Sequence, residues 1–309
     1  MTGPERPTVS VVIPTIGRPQ LADAVASVFA QTYPVDQVVV VVDADVEISL
    51  PDDPRIHVVH TEFGTGSSAA RQTGIECAKG DVIALLDDDD EWFPDKLAIQ
   101  LDSVADVESD LWLSSTLVEV HDGRPVPRVM PTRVIEPHER VDDYLFRFHE
   151  PRFGGSGLQT STLCFPRAVA DRVPWARPTA ALHDDPTWVM QVRDAFPDIA
   201  ILQIPTPLVR YNMEMSSLSR TGRDESRDYI AWGDAHLCDA DRRTKGDYYF
   251  TGPVTSAVSG TSLIGVLRAM AVGVRKGTPG PWAVFYAVAS IARVLLKKMR
   301  SMLPSGANG

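Results

Sequence analysis

The sequence predicts an α/β fold, with a mostly parallel central sheet covered by helices on both faces and a C-terminal helical appendage. Three features point there. Short apolar runs without polar alternation, Val9–Ile13, Val38–Val42 and Val82–Leu86, have the make-up of strands buried on both faces. Stretches with helical spacing of apolar residues separate them, as expected of parallel strands joined by crossover helices. Beyond Asp247 there is no further Asp or Glu, and the chain turns apolar and basic.

In chain order, Val9–Ile13 is the first strand and Pro14-Thr15-Ile16-Gly17-Arg18-Pro19 its turn. Leu21, Val25, Val28 and Phe29 give the next helix its apolar face. Val38–Val42 is unbroken valine and ends on Asp43-Ala44-Asp45; Ile56–His60 is a third strand. Ser67–Ala78 reads as a helix, with serine at its start and Gly80 just past its end. After Val82–Leu86, an amphipathic helix runs through Leu97, Leu101 and Val104, and Leu111–Val120 is another strand. Pro125, Pro127, Pro131 and Pro137 then break any long element. A short helix is expected at Val141–Phe148 and a flexible or closely approached loop at Gly154-Gly155-Ser156-Gly157. Strands are expected at Leu158–Phe165, Ile199–Leu202 and Leu208–Tyr211, and a helix at Pro186–Phe196.

With 309 residues, 44% of them hydrophobic, the chain can bury a sizeable core in one domain with an appendage. The net charge of −11 argues against a general nucleic-acid binder. Arg268, Arg275, Lys276, Arg293, Lys297, Lys298 and Arg300 follow the last acidic residue, so the total of −11 conceals −18 on the first 247 residues. Cys77, Cys164 and Cys238 are odd in number and lack C-x-x-C spacing, which fits a reducing, cytoplasmic compartment rather than a disulfide framework or zinc knuckle. Met1–Thr8 has no signal-peptide core, and no run reaches 18 apolar residues.

The most informative stretch is Gly80-Asp81-Val82-Ile83-Ala84-Leu85-Leu86-Asp87-Asp88-Asp89-Asp90-Glu91-Trp92. A buried strand that ends in packed carboxylates needs protons or cations to compensate them. Ligands of open α/β sheets bind at the carboxyl ends of the strands. The run therefore reads as a divalent-cation and phosphate site, against the plainer alternative of a solvated turn before the helix that follows Pro94. An EF-hand loop is excluded, because its glycine would fall at Trp92. No Walker A loop is present, and the P-T-I-G-R-P turn is not a dinucleotide fingerprint. What remains is a hard cation held by one or two carboxylates and completed by water and substrate phosphates. Asp43 could cap the next element or bind a base or ribose. Arg71 could reach the nucleotide or brace the acidic cluster.

Four ordered segments carry a resemblance. Val11-Val12-Ile13-Pro14-Thr15, Ser27-Val28-Phe29-Ala30-Gln31-Thr32-Tyr33-Pro34, Ala70-Arg71-Gln72-Thr73-Gly74-Ile75 with Ala78-Lys79-Gly80-Asp81, and Leu86-Asp87-Asp88-Asp89-Asp90 are similar to the motifs of glycosyltransferase family 2. These are inverting nucleotide-sugar transferases of the GT-A fold, and the last segment resembles their DxD motif. Gln72 replaces the usual asparagine, and Asp43-Ala44-Asp45 departs from the common D-D-G-S. The resemblance implies a catalytic domain at 1–247, with a nucleotide and metal half to about residue 120 and an acceptor half after it, and an extension at 248–309. It implies nucleotide binding by Pro14, Thr15, Arg18, Asp43, Arg71, Asp87 and Asp88. Asp89 would be the direct ligand of Mn2+ or Mg2+, and Asp90 would support the site or approach the acceptor. The donor implied is a nucleoside-diphosphate sugar, with uridine or thymidine ahead of guanosine.

Inverting transfer also needs a carboxylate to deprotonate the acceptor hydroxyl. His183-Asp184-Asp185-Pro186-Thr187-Trp188 supplies candidates, though either aspartate could be a plain helix cap. The resemblance favours Asp185 as base, with Asp184 orienting the acceptor, Trp188 as an apolar wall and His183 as a competitor. Leu208-Val209-Arg210-Tyr211-Asn212 resembles the family's L-x-x-Y-R region, but the next histidine is His236. Either Arg210, Arg220 or Arg223 would then serve the diphosphate from a closing loop, or the ion would do so alone. A nucleotidyltransferase would need a glycine-rich loop after strand one, and an inactive binding module would not need the retained carboxylates. In the extension, Trp282–Leu303 combines an apolar face with basic residues. It is expected to meet an anionic membrane surface from the cytoplasmic side, a second copy of the chain, or the body.

Overall fold

Val9–Thr15 is buried along its whole length, as an all-apolar central strand should be. The computed structural model describes residues 6–151, 153–175, 182–213 and 222–302. The elements are β1 (Val9–Thr15), α1 (Leu21–Phe29), β2 (Gln37–Val42), β3 (Ile56–His60), α2 (Ser67–Cys77), β4 (Val82–Leu85), β5 (Glu91–Trp92), α3 (Lys96–Ser103), β6 (Trp112–His121), β7 (Arg128–Met130) and α4 (Val141–Phe146). A one-turn 3-10 segment, Thr160–Thr162, precedes β8 (Cys164–Pro166), α5 (Arg167–Arg172), α6 (Asp184–Ala195), β9 (Ala200–Asn212), α7 (Ser226–His236), α8 (Arg242–Ser259), α9 (Leu263–Lys276) and α10 (Pro281–Met302).

The chain divides into two units: residues 1–141 with 156–214, and 142–155 with 215–309. The first holds one mixed sheet in the order β3-β2-β1-β4-β8-β6-β9-β5, with β7 paired to β6. The pairs β3–β2, β2–β1 and β1–β4 are parallel, as is β6–β9, while β8 is antiparallel to both its neighbours. Valine alternates between the two faces of β2. Val38, Val40 and Val42 join the main core, and Val39 and Val41 pack under Ala70 of α2. Gly74 lets α2 approach this closely, because an added Cβ would overlap Val12 Cγ1 and lie 3.0 Å from Val41 Cγ2. The register sets Thr15 beside Val42 and Val12 beside Leu85. The carboxyl ends of β1, β2 and β4 therefore open on one edge, and strand order reverses at β1, where α/β sheets bind ligands.

Three expected strands differ from what folds. Leu158–Phe165 is a 3-10 turn followed by the three residues of β8. A buried network explains this: Gln100 Nε2 donates to the Thr162 carbonyl at 2.9 Å and to Ser114 Oγ at 3.1 Å, while Lys96 Nζ donates to Gln100 Oε1 at 2.6 Å. Ile199–Leu202 and Leu208–Tyr211 are one strand, β9, continuous through Pro205 and Pro207 because its register against β6 shifts around Leu117. Such an irregularity is where a strand tolerates prolines that cannot donate to the ladder.

In the second unit, α8, α9 and α10 enclose a core of Phe148, Phe250, Val254, Ala257, Val266, Ala269, Ala283, Tyr286, Ala287 and Val294. Residue 247, where the sequence changes character, lies inside α8. Its carboxylate is fully buried and accepts from Arg243 Nε at 2.8 Å and from the amides of Phe148 at 3.0 Å and Gly280 at 2.7 Å.

Candidate active site

β4 ends at Leu85, and the next turn delivers four aspartates to the open edge of the sheet. They divide into two pairs by burial. The side chains of Asp87 and Asp89 keep 30% and 32% of their exposure, whereas Asp88 keeps 5% and the whole of Asp90 only 1%. The run closes a tight turn, with the Asp90 amide donating to the Asp87 carbonyl at 3.2 Å, and this turn leaves the first and third carboxyls facing outward.

The inward pair is secured by hydrogen bonds. Asp88 accepts from Thr15 Oγ1 at 2.6 Å and Arg18 Nη1 at 2.8 Å, and burial still raises its pKa, opposed by Thr15 and Arg18. Asp90 accepts from Ser161 Oγ at 2.6 Å, Gln159 Nε2 at 2.8 Å and the Asn212 amide at 3.3 Å. Burial, reinforced by Asp87, holds its carboxyl well above the ordinary range. Asp90 therefore anchors β9 and the 3-10 turn to the acidic loop and presents nothing to an acceptor.

The outward pair is held by two arginines. Arg71 Nη2 donates to Asp87 Oδ1 at 2.7 Å, and Arg18 Nη1 to Asp89 Oδ2 at 2.8 Å. Burial and the neighbouring Asp87 carboxylate push Asp89 up to about 6. Arg71 is itself buried, with its guanidinium 4.9 Å from the Trp175 ring centre and its Nε without a hydrogen-bond partner. Burial works against its charge, but Asp87, Asp185 and Asp184 together hold its pKa above the ordinary value.

Those last two carboxyls come from the first turn of α6. Asp185 accepts from the Thr160 amide at 2.9 Å and from Thr160 Oγ1 at 2.5 Å; burial outweighs Arg71 and Thr160 and pushes it up to about 6. Asp184 accepts from Ser68 Oγ, while its Oδ1 is buried without a partner among the described residues, and burial raises its pKa. His183, in a left-handed conformation with φ 56°, is the residue before the helix, and its carbonyl accepts from the Thr187 amide and hydroxyl. The 3-10 turn joins the halves: Thr160 holds Asp185, while Ser161 Oγ accepts the Asp87 amide at 3.0 Å and donates to Asp90. Five carboxyls, those of Asp87, Asp88, Asp89, Asp184 and Asp185, thus gather around two guanidiniums, those of Arg18 and Arg71.

Other expected residues lie elsewhere. Pro14 is buried at the end of β1. The Asp43 carboxylate accepts from Thr61 Oγ1, Thr65 Oγ1, and the Thr65 and Gly66 amides, at 2.5–2.9 Å. Burial raises its pKa, but these bonds prevail and hold it low, so its visible task is to shape the loop before α2. Trp188 is no wall for a ligand. It is fully buried, stacked 4.8 Å from Trp175 and 4.7 Å from Phe165, and its indole donates to the Val173 carbonyl at 3.0 Å. Arg210 faces Glu91 across β9 and β5, with Nη1 3.1 Å from Oε2. Arg223 belongs to the second unit, and Arg220 and Leu303 lie outside the described residues. Ser68, Gln159, Thr160, Ser161 and Asn212 were not singled out from the sequence, nor was Tyr211, whose hydroxyl is pushed up to about 12 by burial and then by Asp90 and Asp87.

Among the described residues no three His, Cys, Asp or Glu side chains converge as a ready-made metal cage. A cation held by one or two carboxylates, with water and diphosphate oxygens completing its shell, needs none. The excess of carboxyls over guanidiniums and the raised Asp89 are what a site lacking positive charge shows, so the donor set fits such an ion.

Residues 10–159 match the family described as Glycosyl transferase family 2. Through that stretch, just under half of the chain, the sequence is similar to glycosyltransferase family 2. It is 35% identical over 103 residues to the putative colanic acid biosynthesis glycosyl transferase WcaA of Escherichia coli, covering 31% of this chain and 37% of that one. To the putative teichuronic acid biosynthesis glycosyltransferase TuaG of Bacillus subtilis it is 31% identical over 131 residues, 40% and 52% of the two chains. To the amylovoran biosynthesis glycosyltransferase AmsB of Erwinia amylovora it is 28% identical over 217 residues, 68% of each. The matched stretch thus spans only about a third to a half of the first two relatives. Residues 1–349 of Staphylococcus aureus TarS, in complex with UDP-GlcNAc, superpose with a TM-score of 0.59 at 14% identity, covering 95% of this chain and 92% of that one. The mannosyltransferase PcManGT of Pyrobaculum calidifontis, in complex with GDP-Man and Mn2+, gives 0.55 at 16% identity, covering 97% and 89%. At such identities the likeness is one of fold, and that fold is GT-A.

Proposed function

We propose that this chain transfers a sugar from a nucleoside-diphosphate donor to an acceptor hydroxyl, with inversion and with Asp185 as the general base. One observation supports this above the others: Arg71 is flanked by Asp87 from the strand side and by Asp184 and Asp185 from the helix side. A donor phosphate side and a proton acceptor are thereby held in one frame. The acceptor oxygen attacks the anomeric carbon while the bond to the diphosphate oxygen breaks. The acceptor proton passes to Asp185, and the bonding pair leaves with the nucleoside diphosphate. A carboxyl near 6 is mostly ionised at neutral pH yet basic enough to take that proton. Asp184, bonded to Ser68, orients the acceptor. Asp87 and Arg71 face the donor, and Thr15 and Arg18 hold the loop through Asp88.

Asp89 would hold Mn2+ or Mg2+, which when bound draws charge from the departing diphosphate. For the base, Ala44, Asp45, His60, Thr61 and Phe63 line a cavity of about 480 Å3 beside Asp43, a size suited to a nucleoside. Uridine or thymidine diphosphate sugars are the donors proposed. The test is release of nucleoside diphosphate from uridine, thymidine and guanosine sugars with Mn2+ or Mg2+, for the parent chain and for Asp89→Ala. The variant should fold normally, judged by its melting curve, and lose cation-dependent turnover. A D89A protein as active as its parent removes the metal role, and a chain that turns over no donor in the panel removes the reading itself.

A further inference from the structure

On α10 one face is buried in its own unit through Ala283, Tyr286, Ala287, Ser290 and Val294. A second apolar stripe is left in solvent. Phe285, Val288, Ala292, Leu295 and Met299 follow one another at intervals of three and four residues, and all are exposed, Phe285 by 58% and Met299 by 63%. α9 repeats the pattern with Ile264, Leu267, Ala271 and Val274. Helices of water-soluble units ordinarily turn such residues inward, and a continuous exposed stripe marks an interaction surface.

The charges beside the stripe select its partner. Arg293 stands exposed on one flank of the stripe, its guanidinium 5.6 Å from the Tyr286 ring centre, while Lys297 turns back toward α8, its Nζ donating to the Val258 carbonyl at 3.2 Å. Lys298 is exposed beside them, and no acidic residue follows Asp247 anywhere in the chain. A second copy docked on this helix would bring the same cations against Arg293, Lys297 and Lys298 without one carboxylate of the tail to offset them. Anionic headgroups complement these charges, and long basic side chains can reach them from a helix whose apolar face is immersed. No helix among the described residues is long and apolar enough to cross a membrane.

We propose that the outward face of α10 is a docking surface for an anionic lipid bilayer, on which the helix lies in the plane of the interface. The proposal is independent of the transfer reaction, because binding is measured without donor or acceptor. The full chain is sedimented with vesicles of phosphatidylglycerol and phosphatidylcholine, and with phosphatidylcholine alone, at low and high salt. Binding should appear with the anionic vesicles, fall on addition of salt, and be much weaker on neutral ones. Each basic side chain near the surface contributes about fivefold to partitioning, so Arg293→Ala with Lys298→Ala should weaken binding by roughly 25-fold at low salt. Phe285→Glu with Leu295→Glu should abolish it while leaving the far-ultraviolet spectrum unchanged. A folded chain that ignores anionic vesicles overturns the proposal. So does a dimer in sedimentation velocity, without vesicles, that the glutamate variant dissolves.

Discussion

Asp185→Asn separates the chemistry of this site from its stability. The amide keeps the shape of the carboxyl and most of its bonds: Oδ1 can accept from the Thr160 amide, and Nδ2 can donate to a Thr160 hydroxyl turned to accept. What it removes is a charge that the site disfavours. The Asp185 carboxyl sits at about 6, where an unfolded chain would place it near 3.9. Below about pH 4 both states hold the proton and there is no penalty. Between about 4 and 6 only the folded state holds it, so stability falls as pH rises; above 6 the penalty is complete. Two units correspond to about 3 kcal/mol, and for a unit of some 200 residues that raises the melting temperature by roughly 6–12 °C at pH 8. The gain should vanish toward pH 4. Turnover should move the other way, dropping by a factor of about 10²–10⁴ with loss of the base, while parental kcat/KM declines on an acid limb near pH 6. Paired melting curves from pH 4 to 8 and donor-dependent release of nucleoside diphosphate measure both. Turnover within threefold of the parent refutes the base assignment, and a melting temperature at pH 8 no higher than the parent's refutes the charge reasoning.

Two further substitutions test how the site is built. Ser161→Ala strips Asp90 of a donor and the Asp87 amide of its acceptor, so urea unfolding should show a loss of about 1–3 kcal/mol and transfer should slow; unchanged stability and rate would mean the 3-10 turn does not brace the acidic loop. Gly74→Ala should cost about 1–3 kcal/mol through overlap with Val12, more than the gain of up to about 1 kcal/mol that alanine brings to a helix, and a variant at least as stable as its parent in the same assay would disprove the close packing of α2 on β1.

The first part of the fold was legible because burial on both faces leaves a continuous apolar signature. The Ile56–His60 strand appears as read, and the valine run needed only Gln37 added. Elements whose residues serve a neighbour rather than a ladder were not legible. Thr160, Ser161 and Thr162 look like strand residues by type, yet their hydroxyls and backbone are committed to Asp185, Asp90 and Gln100. β5 is two residues long and hides behind the aspartates, and β7 lies among prolines. For Trp188 the signal was present: Trp188, Val189 and Val192 form the buried face of α6, and an i, i+4 pair of Trp and Val on a helix points to core before ligand.

The acidic run shows why composition can point to a candidate site but cannot apportion its residues. Four consecutive aspartates look equivalent in a sequence, and nothing in their order says which will be solvated. The backbone decides: the Asp90 amide closes a tight turn on the Asp87 carbonyl, and that turn sets which carboxyls reach solvent. Asp88 and Asp90 fall inward, and each is tolerable there only because the chain supplies donors from afar: Thr15 and Arg18 for one, and Gln159, Ser161 and Asn212 for the other. Asp87 and Asp89 are left to face outward beside only two guanidiniums, with Asp184 and Asp185 adding to the same excess of negative charge. An arrangement that commits two buried carboxylates to holding the loop, and leaves the outward pair short of positive charge, is the feature on which the proposed cation and diphosphate site rests.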